Sequence, residues 1–137
     1  MLRPLLFALL CAGAAASHAI ANDDPIEVAL DACLASPDGE TTQGMVECIG
    51  ASYEAWDAAL NEAYRTAMAS LSQEEAGLLR AAQREWIRFR DAESEFLASL
   101  ITPERGSIMR IVVNERMAGI VRDRALQLRA LADDAGN

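Results

Sequence analysis

From residue 41 to residue 71 apolar side chains recur in steps of three and four with no proline among them. They are Met45, Ile49, Tyr53, Trp56, Leu60, Tyr64, Ala67 or Met68, and Leu71. Such spacing lines up on one side only when the backbone is helical. The chain must therefore hold a long amphipathic helix whose stripe needs other helices to cover it. Thr41 or Thr42 supplies its N-cap, and Gly50 is the weak point within it.

Three further helical segments surround this one. Asp24-Pro25-Ile26-Glu27 opens the first, with Asp24 as N-cap, Pro25 at the first helical position and Glu27 completing a capping-box-like pattern. Ile26, Leu30, Cys33 and Leu34 follow at helical spacing, and Ser36-Pro37-Asp38-Gly39 ends the run as a turn. Ser72-Gln73-Glu74-Glu75 is a capping box that starts another helix. That helix is read as carrying Leu79, Ala82, Trp86, Phe89, Phe96 and Leu100 on one face. The stretch from Thr102 to Ser107 breaks it. A last helix carries Val113, Met117, Ile120, Val121, Leu128 and Leu131 before a polar tail from Asp133. No alternating pattern of useful length points to a strand. The expected fold is all-α: a small antiparallel bundle of about four helices with one disulfide.

Residues 1–21 read as a cleavable signal peptide. Arg3 is its positive region, Leu5 to Cys11 its apolar stretch, and Ala19-Ile20-Ala21 its cleavage signal, with residues 22–137 as the mature domain. An uncleaved anchor needs about 20 apolar residues and fits less well. A lipid-modified Cys11 is disfavoured by Leu10 before it. The expected destination is the periplasm or the exterior. There Cys33 and Cys48, the two cysteines left after cleavage, read as a disulfide rather than as buried free thiols.

Cleavage also removes His18, the only histidine. The mature domain then has no imidazole for general-base or zinc chemistry, so no catalytic, cofactor-binding or metal-binding residue is assigned and the domain is read as a non-enzyme. With Arg3 gone, 11 arginines face 21 acids, and there is no lysine. A net charge near −10 excludes nucleic acid and anionic membrane as natural partners and favours basic proteins.

The densest mixture of charge and aromatic side chains is Gln83-Arg84-Glu85-Trp86-Ile87-Arg88-Phe89-Arg90-Asp91-Ala92-Glu93. Trp86, Arg90 and Glu93 share one side of a helix, which places Glu93 on the apolar stripe. Arg124 sits similarly between Ile120 and Leu128. An ion pair from Arg124 to Glu93, with Asp91 as competitor, is expected to fix the register of the last two helices. A glycosidase-like carboxylate pair is the sharper but poorer reading, because the neighbouring arginines would hold both acids ionised. Asp57, Leu60, Asn61 and Tyr64 form a second cluster, better suited to packing and register than to ligand contact.

These residues, taken in order, resemble the LprI-like lysozyme inhibitor domain family of bacterial envelope proteins. The resemblance rests on Cys33 and Cys48, the run from Asp57 to Tyr64, the run from Ala82 to Glu93, Gly106-Ser107 and Arg124. Members usually carry one more cysteine after the DAE run and another in the final helix; here Ser94 and Arg116 stand there. Arg105 replaces the first of a paired glycine. The resemblance marks Asn61, Gln83, Trp86, Arg90, Asp91, Glu93 and Arg124 as structural motif residues. It implies a protein partner, lysozyme or another basic wall-lytic enzyme, bound with no cofactor. Occlusion by a helix end or the Thr102–Ser107 loop is the expected mode. The alternative is a non-inhibitory envelope module.

Overall fold

The computed structural model describes residues 24–135, so the expected leader and its cleavage point lie outside the described residues. The described residues form four α-helices: α1 (Pro25–Leu34), α2 (Thr42–Ser70), α3 (Gln73–Ala98) and α4 (Ile108–Ala135). Short 3-10 turns, Pro37–Glu40 and Pro103–Arg105, join α1 to α2 and α3 to α4. The all-α expectation holds, and among the described residues there is no strand. The polar end from Asp133 continues α4 instead of leaving it.

Local chemistry sets the boundaries. Asp24 accepts a hydrogen bond from the Ile26 amide at 2.9 Å, and Thr41 Oγ1 accepts from Gly44 N at 2.9 Å. Ser72 and Glu75 form both bonds of a capping box, which divides α2 from α3. The Ser72 hydroxyl and backbone amide, donating to Glu75, hold that carboxyl below its usual range.

Helices adjacent in the chain run antiparallel, so α2 and α4 run parallel. Arg110, near the start of α4, donates to Gln43, near the start of α2, at 2.8 Å. Further along, Trp56, Leu60 and Ala63 pack with Val121, Ala125 and Leu128 as the buried core. Ala67, Ala118 and Ala132 are also buried. Such small side chains let the α2 and α4 backbones approach closely, and this pair makes the main contact of the fold.

The two outer helices are attached differently. α1 has no buried residue and is held by specific bonds. The Cys33–Cys48 disulfide ties its end to α2. Trp56 Nε1 donates to Glu27 at 2.9 Å, and Arg129 donates to Asp24 at 2.6 Å. Glu27 therefore docks α1 instead of closing the expected capping box.

α3 corrects the reading of a single face. Leu79 and Trp86 turn inward against the core, and Leu97 is buried. Ala82, Phe89 and Phe96 face solvent. The two sets lie on adjacent seams of one helix, and a three-or-four spacing alone cannot separate them.

Candidate functional site

The motif residues do not form one cleft. Gln83 is buried on the inner side of α3, where its Oε1 accepts from Arg124 Nε at 2.9 Å. Arg124 also donates to Gln127 at 3.2 Å. Its guanidinium lies 6.0 Å from the Trp86 ring centroid, and that of Arg90 lies 5.5 Å from it. Burial lowers the Arg124 pKa, although a guanidinium still remains charged. The knot joining α3 to α4 is thus an amide–guanidinium bond beside an aromatic ring.

The expected ion pair from Arg124 to Glu93 or Asp91 is replaced by this bond. Asp91 is exposed and takes Arg90, at 2.9 and 2.7 Å. Glu93 lies ten residues beyond Gln83, about 15 Å along the helix, which in an antiparallel pair is level with Asn114 in the second turn of α4. Asn61 stands apart, donating to the Asp57 carbonyl at 2.8 Å and its carboxylate at 3.1 Å on its own helix. Of these residues, Gln83 and Arg124 tie α3 to α4, whereas Asn61 and Asp91 bond within their own helices.

A different surface gathers the charge. Residues 24–64 carry nine carboxylates and no arginine, whereas residues 65–135 carry eleven of each. In the fold the first stretch is α1, the 3-10 turn and most of α2, and Arg110, Arg122 and Arg129 of α4 reach across to it. Asp24 and Glu27 are engaged with arginines of α4. Asp31, Asp38, Glu40, Glu47, Glu54 and Glu62 are exposed. This split is visible in the sequence and was missed by reading total charge alone.

The acidic half ends in a stiff projection. The Pro37–Glu40 turn is closed below by the Cys33–Cys48 disulfide. It is also pressed against both helices by glycines: a Cβ on Gly44 would lie 1.5 Å from the Asp38 carbonyl oxygen, and one on Gly39 2.4 Å from that of Leu34. A concavity of about 450 Å³ beside it is lined by Pro37, Asp38, Gln43 and Glu47. The Thr102–Ser107 loop sits at the same end of the bundle, joined through Arg110 and Gln43. Its Gly106 has φ of 76°, a conformation open to glycine. The Glu104 backbone amide, and after it the Thr102 side chain, hold the Glu104 carboxyl below its usual range. The exposed Ile101 and Ile108 flank this loop.

A groove of about 200 Å³ between α1, α2 and α4 has Leu30, Leu34, Ile49 and Trp56 on its walls, with Glu27 and Arg122 at its rim. Among the described residues no group of three or more His, Cys, Asp or Glu could hold a metal ion. No described helix is long and apolar enough to cross a membrane.

One comparison matches a described family, and two match uncharacterized proteins. A family model described as lysozyme inhibitor LprI matches residues 33–128. The uncharacterized protein YecT of Escherichia coli (strain K12) is 31% identical over 101 residues, covering 65% of this chain and 62% of that one. A crystal structure of an uncharacterized protein from Burkholderia thailandensis matches with a TM-score of 0.78 and 26% identity, covering 83% of this chain and 56% of the other. The chain thus spans less than two thirds of the length of either relative.

Proposed function

Since the chain belongs to the family of the lysozyme inhibitor LprI, we propose that it is exported to the cell envelope and there binds and occludes a basic lysozyme. The observation that carries this reading is the division of charge: nine carboxylates without one arginine in residues 24–64. The six exposed carboxylates of this stretch steer a cationic protein toward it and orient the encounter. The disulfide fits an oxidising compartment outside the cytoplasm.

The contacting end is the Pro37–Glu40 turn with Asp38, Glu40 and Glu47, set beside the Thr102–Ser107 loop. Disulfide and glycine packing hold the turn in one shape, so little conformational entropy is lost when it docks. Its carboxylates pair with arginines and lysines bordering the glycan cleft, while Ile101 and Ile108 supply apolar contact next to them. Inhibition comes from covering the cleft, without turnover by this chain. The ion pairs are exposed at their rim, so affinity falls as salt rises.

The test is lysis of bacterial cell walls by a basic animal-type lysozyme, titrated with the oxidised protein purified after export. An unrelated helical protein of equal negative charge is the control. Protection by this protein alone, lost in an Asp38→Asn, Glu40→Gln, Glu47→Gln variant of unchanged melting temperature, is the expected result. Protection no greater than the control's would move the assignment to a non-inhibitory envelope-binding module.

A further inference from the structure

The outward side of α3 carries a second apolar seam that the fold leaves uncovered. Leu78, Ala82, Glu85, Phe89, Ala92 and Phe96 follow one another in steps of four, three, four, three and four. All six are exposed, with Leu78 at 68%, Phe89 at 53% and Phe96 at 55%. The inward seam, on which Ala76, Leu79, Gln83, Trp86 and Leu97 lie, already binds α3 to the bundle. A four–three repeat is the spacing of a two-helix packing seam, and α3 has two of them. Isolated exposed apolar residues are ordinary, but a stripe of this period, interrupted only by Glu85, is suited to docking.

We propose that the occupant is the same seam of a second copy of this chain, docked antiparallel about a two-fold axis near residue 87. The stripe is self-complementary under that operation, as an isologous contact requires. Leu78 meets Phe96 of the second copy, Ala82 meets Ala92, and Phe89 meets Glu85. The alanine pairs permit close approach between the bulky pairs. Glu85 accepts from Arg88 of its own helix at 2.7 Å, and the two-fold brings the second copy's Arg88 near it as well. Two Glu85 and two Arg88 then form a neutral group at the centre.

The global charge agrees with this occupant. The seam lies in the half where eleven arginines balance eleven carboxylates. Pairing through α3 therefore joins two neutral halves and points both acidic halves outward. A basic partner would find its field on the other side of the molecule. The seam runs over 19 residues, Leu78 to Phe96, about 27 Å of helix and one helix wide. That footprint lies at the small end of specific interfaces, so the dimer is reversible and concentration-dependent.

Sedimentation equilibrium of the oxidised protein over a wide concentration range reads this directly. The mass is expected to rise toward that of two chains, and added salt should not weaken the association. Phe89→Ser should raise the dissociation constant at least about a hundredfold, because each two-fold dimer loses two buried rings. Its melting temperature at low concentration should be unchanged. Glu85→Arg should abolish pairing by gathering like charges, and the exchange Glu85→Arg with Arg88→Glu should restore it. Register is checked by oxidising Ala82→Cys protein mixed with Ala92→Cys protein: the mixture should cross-link, and neither variant alone should. A single-chain mass at every concentration overturns the proposal. So does a seam that becomes protected only when a basic lysozyme is added.

Discussion

Two glycines in α2 should respond to the same substitution with opposite signs. At Gly50, mid-helix, an added methyl group meets nothing within 4 Å. Gly50→Ala removes backbone freedom from the unfolded chain and favours the helix, a gain of about 0.5–1 kcal/mol. Gly44 lies in the first turn of α2, and the same methyl would sit 1.5 Å from the Asp38 carbonyl oxygen and 2.7 Å from its carbon. The Pro37–Glu40 turn would have to retreat by more than an ångström, while the disulfide between Cys33 and Cys48 holds it on both sides. Overpacking of this kind costs about 1–3 kcal/mol, and the helical gain is smaller at a helix end than in its middle. The expected outcome is a stabilised Gly50→Ala and a Gly44→Ala destabilised by about 2 kcal/mol. In thermal melts of the oxidised protein these correspond to shifts of about +3 °C and −8 °C. Urea melts should move their midpoints accordingly with unchanged slope. Reducing the disulfide should shrink the Gly44→Ala penalty, since the turn is then free to move. If Gly44→Ala stabilised the protein as Gly50→Ala does, the close approach of the turn to α2, and the stiffness argued for it, would be refuted.

Other perturbations probe the remaining joints. Replacing Cys33 and Cys48 by alanine opens a loop with a sequence separation of 15 and should cost about 3 kcal/mol in urea melts, through the freedom regained by the unfolded chain. Ser72→Ala removes the cap of α3 and should cost about 1 kcal/mol. Because the Glu75 pKa is depressed on folding, its contribution is fully present above the ordinary value of 4.5 and is lost as pH falls through the lower folded value. Melting temperature followed from neutral pH downward should therefore decline less in Ser72→Ala than in the parent protein. Gln83→Leu leaves the half-buried Arg124 without its amide acceptor and should destabilise by about 1–3 kcal/mol in the same melts. A change below that range would show that Gln127 and the Trp86 ring suffice.

The helical class was legible along the chain, because three-and-four spacing has no strand equivalent. Caps are made within a few residues, so the sequence also located the breaks at Thr41 and Ser72. The disulfide was legible too, since two cysteines were left once the expected leader was set aside. Partnerships across the bundle were not. Arg124 selected Gln83 over Glu93 because the antiparallel register put the amide level with it. Glu27 left its own helix for Trp56, 29 residues away. The split of α3 into an inward and an outward seam was also decided only by packing: α4 had room for one seam, so Phe89 and Phe96 stayed in solvent. Charge was countable along the chain, but its meaning as an acidic half and a neutral half depended on which helices became neighbours. Periodicity and capping are local interactions that a linear sequence records directly. Pairing between distant helices depends on rotation and depth, which exist only once the bundle has closed.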